Sequence, residues 1–199
     1  MHAARRRRFA RNEVIFHDGD PGDTLHLLAK GHVAIRVTTP LGDVATVRVL
    51  KSGDCFGELA VVSPAPRNAT AVAIGTVETL GIHRTQFDEL RERQPSIEGL
   101  LVEALVAEVR RLTVQLLDAL YVPVDKRVWR RLTELAAIFR DGTDPVVVPL
   151  TQEDVAQVVG TTRPTVNRLL REGEAAGIVR IARGRLEILD PDAIARRGR

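Results

Sequence analysis

The sequence predicts an α+β chain in three parts: an antiparallel β-barrel or sandwich over residues 1–94, one long helix over 95–121, and a winged helix-turn-helix over 122–199. Three observations carry this reading. Short Val-, Ile- and Leu-rich runs, punctuated by Gly- and Pro-bearing turns, fill the first half. An apolar seam repeats every seven residues between Ser96 and Leu120. Two short amphipathic helices meeting at Gly160 are followed by a hairpin signal.

Taken in order, Arg5 to Arg8 form a basic run without an apolar stretch behind it, read as a mobile, solvated tail rather than a phosphate-binding arm or signal peptide. From Glu13 the chain runs VIFH, the turn DGDPGD, TLHLLAKG, HVAIRV, the turn TTPLGD and VATVRVL. Its glycines fall in the punctuation, where positive φ costs a residue without Cβ little. A last strand is expected near Val77 to Ile82. Thr85 with Asp88 reads as a capping box that opens the helix leading onward.

One segment interrupts the strands. Gly57, Glu58, Leu59 and Ala60 read as one helical turn, and Arg67 follows a turn made by Pro64 and Pro66. Backbone N–H groups at a helix start favour an anion, a guanidinium can fork onto phosphate, and a carboxylate can accept from sugar hydroxyls. The segment therefore reads as a phosphate-sugar cradle. The same pair, Glu58 and Arg67, can instead close a salt bridge across a barrel mouth, and spacing alone does not choose.

The long helix places Val102, Val109 and Leu116 at one heptad position and Leu105, Leu112 and Ala119 at the other. Leu100, Leu101, Ala104 and Leu117 are apolar on other faces, so two apolar contacts are expected: the helix's own domain on one side and a partner chain on the other. Val102, Leu105, Val109, Leu112 and Leu116 are assigned to a homodimer interface. The alternative is an ordinary core helix with no partner.

Tyr121-Val122-Pro123 breaks the helix, because proline disfavours helical geometry in the residue before it. Val128, Leu132, Leu135, Ala136 and Phe139 mark the buried face of the next helix, with Trp129 expected in the core. Thr151 and Asp154 form a capping box for a helix with Val155, Val158 and Val159 inward; Gly160 permits a sharp turn; Thr162 caps a second helix. There Val166, Leu169 and Leu170 share one face. Pro164, Arg168 and Arg171 project from the opposite face, with Asn167 at its edge and Arg163 in the first turn, placing cationic forks and an amide where bases and phosphates would lie. Ile178 to Ile181 and Arg185 to Leu189 form a wing with Arg183 at its tip.

Composition narrows the functional classes. The net charge of +3 lies wholly in residues 121–199, with 14 Lys/Arg against 11 Asp/Glu; residues 1–120 balance at 15 each. A single cysteine, Cys55, excludes an internal disulfide and the thiolate set of an iron-sulfur cluster or cysteine zinc site, and fits a reducing cytoplasm. No run of about 18 apolar residues suggests a membrane span. No metal site and no required cofactor are expected. Without a Gly-Lys-Ser/Thr loop, a GxSxG elbow or an HExxH pair, an enzyme is not expected either.

Two motifs carry a family resemblance that spans Glu13 to about Asp190. FGELAVVSPAPRNA resembles the phosphate-binding cassette of cyclic-nucleotide-binding domains, and TQEDVAQVVGTTRPTVNRLLRE resembles the DNA-binding signature of the CRP/FNR family of bacterial transcription regulators. The resemblance implies a jelly-roll effector barrel, a dimerisation helix and a winged helix-turn-helix. Gly57 and Leu59 would then contribute backbone contacts, Glu58 would hold the ribose hydroxyl and Arg67 the cyclic phosphate of an effector such as cAMP. Arg163 and Arg168 match the DNA-contacting arginines, and RNA polymerase is the implied protein partner. The chain departs from the family pattern at three places. Asn68 stands where Ser or Thr usually follows the arginine, Gln115 and Leu116 where cAMP-binding members present hydroxyls to adenine, and Pro164 where many relatives have a base-reading Glu. A regulator with a different effector or none, and a nucleotide sensor acting on a protein partner, are the alternatives. The redox and haem branches do not fit, since Cys55 is alone and His17, His26, His32 and His83 lack paired-ligand spacing.

Overall fold

The computed structural model describes residues 4–199; Met1 to Ala3, which open the basic N-terminal stretch, lie outside the described residues. The first half forms strands β1 (Arg5–Phe9), β2 (Val14–Phe16), β3 (Thr24–Thr38), β4 (Val44–Lys51), β5 (Cys55–Phe56) and β6 (Thr70–His83), with the Val-, Ile- and Leu-rich runs in β3, β4 and β6 and the short helix α1 (Leu59–Val62) between the last two strands. They form one antiparallel sheet in the order β1-β6-β3-β4; β2 also pairs with β6, and β5 with β3. Phe9, Leu28, Val33, Leu50, Phe56, Ala71, Ala73 and Val77 fill its interior.

Three expectations are corrected here. Arg5 to Arg8 are not a free tail but the edge strand β1, registered from Arg5 opposite Gly81 to Phe9 opposite Val77, with Arg6 and Arg8 sharing Glu78. TLHLLAKG and HVAIRV are not two strands but the single β3, whose register shifts between Leu28 and His32 where Gly31 takes φ +89°. The helix α2 (Arg84–Arg93) is capped by His83 and Gln86 rather than by Thr85 and Asp88, because the His83 ring accepts from the Thr85 N–H and leaves Thr85 inside the first turn.

After α3 (Ser96–Tyr121), Val122 turns extended and Pro123 opens α4 (Val124–Phe139). The second half continues with β7 (Val146–Val148), α5 (Gln152–Val159), α6 (Arg163–Ala175), β8 (Val179–Ala182), β9 (Arg185–Ile188) and α7 (Pro191–Arg197), its sheet ordered β7-β9-β8. The expected apolar face of α4 is buried throughout, Trp129 included. Ala34 of β3 and Ile74 of β6 belong to that same core, so the two halves share apolar surface. Arg36 Nη2 donates to Asp154 Oδ1 at 2.9 Å, and the His32 ring packs tilted against Phe139, centroids 4.2 Å apart, beside the Ile138 carbonyl. The barrel therefore grips the start of α5 and the end of α4.

Among the described residues no helix is long and apolar enough to cross a membrane. The longest, α3, has 26 residues, none of them buried.

Candidate functional site

The cradle is assembled by the turn before β3 as much as by its own segment. The backbone N–H of Arg67 donates to the Asp20 carbonyl and the Gly19 N–H donates to the Arg67 carbonyl, both at 2.8 Å. Arg67 is only 5% exposed. Its Nη1 donates to the Gly57 carbonyl at 2.7 Å, its Nη2 to the Thr24 carbonyl at 2.5 Å, and its guanidinium carbon lies 4.2 Å from the centre of the Phe16 ring. Gly57 must be glycine: φ is +77°, and a Cβ there would stand 2.5 Å from Arg67 Nη1.

This geometry removes the salt-bridge alternative, since the fork of Arg67 is spent on backbone carbonyls rather than on Glu58. Glu58 is half-buried at the start of α1, with Leu59 and Asn68 exposed beside it. Arg67 Nε is buried and makes no hydrogen bond among the described residues, an open donor beside the turn that carries Glu58. Burial lowers the guanidinium's pKa, and Asp23, Glu58 and Asp20 oppose that shift.

Phe16 and His26 support this arrangement from beneath, and no local sequence pattern points to either. His26 stacks on Phe56 at 5.1 Å and its Nδ1 lies 3.3 Å from the Thr79 hydroxyl. Burial, with Arg67 and Arg7 adding repulsion, pushes the His26 pKa down to about 4. Unfolded, the ring titrates near its ordinary value of about 6.5, so between the two pH values the unfolded chain binds more protons. Stability is thus expected to fall as pH drops from about 6.5 to about 4, by on the order of 3 kcal/mol. Urea unfolding across this range measures it: His26→Gln, neutral throughout and still able to reach Thr79, is expected to lose most of the dependence. An unaltered profile would assign the effect to other groups.

Gln115 is not brought into one cavity with the cradle. It lines a space of about 140 Å³ with Thr46, Arg48, Arg111, Arg131 and Val158, between β4, α3, α4 and α5, and neither Glu58 nor Arg67 lines it. Val158, expected inward with Val155 and Val159, is only half-buried.

The own-domain side of α3 differs from the expected apolar contact. At its start Ile97 and Leu101 pack toward Leu25, Val61 and Phe87, but further along the contact is ionic. Glu108 accepts from Arg48 at 3.1 Å and from Arg111, which also donates to the Val47 carbonyl at 3.0 Å; Asp118 pairs with Arg130 of α4 at 2.6 Å. Hydrogen bonding from Arg111 holds the Glu108 carboxyl below its usual range. Of the assigned interface residues, Leu105 is half-shielded by its own chain, while Val102, Val109, Leu112 and Leu116 are exposed together with Val106 and Leu120.

The helix pair follows its local chemistry closely. Thr151 accepts from the Asp154 N–H while Asp154 accepts from that of Thr151, Gly160 ends α5 at φ +70°, and Thr162 accepts from the Thr165 N–H. Val166, Leu169 and Leu170 are buried; Arg163, Pro164, Arg168 and Arg171 are exposed, with Asn167 half-buried. Two of these arginines are held by carboxylates of the same helix that were not among the expected site residues: Arg168 pairs with Glu172 at 2.7 Å and Arg171 with Glu174 at 2.8 Å. Spacings of four and three residues were the available signal. A cleft of about 390 Å³ lies between Thr151, Gln152, Arg163, Gly184 and Arg185, so the starts of α5 and α6 and the wing open onto one concave face.

A sensor barrel joined by a long helix to a winged helix-turn-helix defines a DNA-binding regulator with an effector domain. Residues 6–94 match the model of the cyclic nucleotide-binding domain, and residues 126–197 that of the Crp-like helix-turn-helix domain. The CRP-like cAMP-activated global transcriptional regulator of Mycobacterium tuberculosis is 32% identical over 194 residues, covering 96% of this chain and 87% of that protein. The cyclic AMP receptor protein of Thermus thermophilus is 30% identical over 183 residues, covering 92% and 83%. A solved CRP-family transcriptional regulator, also from Thermus thermophilus, superimposes with a TM-score of 0.82 at 25% identity over 96% of both chains. The chain belongs to the CRP/FNR family of transcription regulators.

Proposed function

We propose that the protein acts as a homodimer that reads a near-palindromic operator with α6 and is controlled by a cyclic nucleotide, cAMP first among them, bound at Gly57, Glu58, Leu59, Arg67 and Asn68. The observation that carries this reading is the coexistence on one chain of the cradle around Arg67 and the arginine-bearing outer face of α6. The unburied stripe of α3 supports two-fold pairing, which would set two α6 helices about 34 Å apart, one turn of duplex. The two relatives named above, one called cAMP-activated and the other a cyclic AMP receptor protein, support the choice of effector. Calorimetric titration with cAMP and cGMP, followed by gel shift on random-sequence DNA with and without the nucleotide, tests it. Heat on nucleotide addition together with tighter DNA binding is the expected result; DNA binding indifferent to either nucleotide would reject the effector half.

One observation favours a second reading, a regulator with a different effector. Two arms of the Arg67 fork are already held by Gly57 and Thr24, which leaves fewer donors for a cyclic phosphate than a free guanidinium offers.

Within α6, Arg168 stands at the middle of the exposed face and Arg163 and Arg171 toward its ends, so Arg168 is assigned to a base edge and the other two to phosphates. Arg168→Ala is expected to cost roughly 1 to 3 kcal/mol on the operator and to flatten one symmetric base-pair position. Arg171→Ala should weaken all sequences alike and lower the salt dependence by about 1 per contact. Selection from random DNA at two salt concentrations distinguishes them. An Arg168→Ala protein that keeps the parent's base preferences and alters only the salt slope would require a different docking of α6.

A further inference from the structure

Residues 121–199 carry 14 Lys/Arg, yet their surplus is only +3, because 11 carboxylates stand among them. On the side that faces DNA in the proposed docking, these carboxylates are set against individual arginines. Along α6, Arg168 Nη1 donates to Glu172 Oε1 at 2.7 Å and Arg171 Nη1 to Glu174 Oε2 at 2.8 Å. In the wing, Glu187 is only 8% exposed; one of its oxygens accepts from Arg180 at 2.8 Å and the other from Arg185 at 3.0 Å. Glu174 is fixed from a second side, since its Oε1 accepts from the Ile181 N–H of β8 at 2.9 Å. Glu172 has no such anchor: its side chain is 50% exposed, and among the described residues Arg168 is the one partner of its carboxylate. The pair occupies only Nη1 of Arg168. Nη2 and Nε–H stay free, two parallel donors that match the O6 and N7 acceptors of guanine.

We propose that Glu172 is a specificity-determining residue, the internal counterion of Arg168, which holds that guanidinium for a base edge and withholds it from the phosphates of unrelated DNA. The inference rests on the assignment of α6 as the reading helix and of Arg168 as its base reader. A guanidinium has two uses on a duplex. On guanine it makes two bonds to a base edge; elsewhere it neutralises the nearest phosphate, and that use raises affinity for DNA of any sequence. A carboxylate one helical turn along the same face already supplies the charge that a phosphate would supply, so the second use gains little. The first use is preserved, because the donors that guanine needs are not the one that Glu172 holds. Glu174 differs: anchored by the wing, it restrains Arg171 on every sequence alike.

The test uses the full-length protein and two duplexes of equal length, one that the parent selects from a random-sequence pool and one with that sequence scrambled, each titrated over a range of salt. Glu172→Gln keeps the size of the side chain and removes its charge. Arg168 is then expected to engage a phosphate of the scrambled duplex, steepening the slope of log affinity against log salt by about 0.9 for each protomer engaged. With two protomers engaged, a four-fold drop in salt tightens the variant roughly ten-fold more than the parent. On the selected duplex the slope should stay the parent's, because Arg168 lies on a base there. Arg168→Ala combined with Glu172→Gln should show no steepening relative to Arg168→Ala alone. Glu174→Gln, whose amide oxygen can still accept from the Ile181 N–H, should instead tighten both duplexes by the same factor. A Glu172→Gln slope on the scrambled duplex equal to the parent's, equal steepening on both duplexes, or steepening that survives in the double variant overturns the proposal. A parent that selects no sequence at all removes the α6 assignment itself, and this inference with it.

Discussion

Leu112→Glu is expected to convert the proposed dimer into monomers at micromolar concentration, as read by sedimentation velocity. The helix α3 leaves Val102, Val106, Val109, Leu112, Leu116 and Leu120 between 45% and 63% exposed along one side, a continuous apolar strip that water would otherwise have to cover. Burial of a large apolar side chain contributes about 1.5 to 3 kcal/mol, so a few such side chains from each protomer suffice for association. Substitution at the centre of the strip places two carboxylates near the two-fold axis, where each loses solvation and repels the other. The cost, several kcal/mol per buried charge, is comparable to the roughly 8 kcal/mol of a micromolar complex. Leu112→Met conserves volume and apolarity and should sediment as the parent does. A Leu112→Glu protein that remains dimeric would place the interface elsewhere than on this strip. The ionic contacts of Glu108, Arg111 and Asp118 to the chain's own barrel and α4 lie on the other side of the helix, so the substitution leaves them in place.

What was legible in the sequence was what local chemistry determines. The helix pair depends on side chains three residues from the groups they cap, Thr151 with Asp154 and Thr162 with Thr165, and on one glycine at positive φ, all visible in a short window. The opposite holds for β1, whose partner β6 lies about seventy residues away and whose four arginines show no alternation, so neither pairing nor facing could be read from the run. The strand β7 is three valines between prolines, too short to carry a period, and becomes a strand only because β9 is there to pair with it. At α2 the expected cap Thr85 gave way to His83, whose ring reaches the Thr85 N–H while the Gln86 side chain reaches back to the His83 N–H. The ionic underside of α3 was hidden for a related reason: the partners of Glu108 and Arg111, Arg48 and the Val47 carbonyl, come from β4, some sixty residues away. In the cradle, the motif named Glu58 and Arg67, but the direction of the guanidinium is set by Thr24 and Phe16, which the motif does not contain.

That direction shapes the other large expected effect. Arg67→Ala should weaken cAMP binding by about 2 to 3 kcal/mol, roughly 30- to 150-fold, the cost of losing a hydrogen bond to a charged group. The side chain is pinned by two carbonyls and by the face of Phe16, so it is held in place before any ligand arrives, and the buried Nε–H is a donor with its desolvation already incurred. An anion completing that donor would gain a charge-assisted bond without ordering a long side chain. The same pinning means that Arg67→Ala strips partners from the Gly57 and Thr24 carbonyls and lowers barrel stability as well, so affinity alone would confound two effects. The separation comes from Glu58, which touches the sugar in the proposed pose and holds no carbonyl of the barrel. Glu58→Gln should weaken cAMP more than 2′-deoxy-cAMP, because only the former carries the hydroxyl that the carboxylate accepts from. Arg67→Ala should weaken both by the same factor, since each presents the same cyclic phosphate. Calorimetry on the four protein–nucleotide pairs, with urea unfolding of each variant alongside, reads both effects. If Arg67→Ala binds both nucleotides as the parent does while its unfolding midpoint falls, Arg67 is a structural brace of the barrel, and the phosphate, if held at all, is held elsewhere.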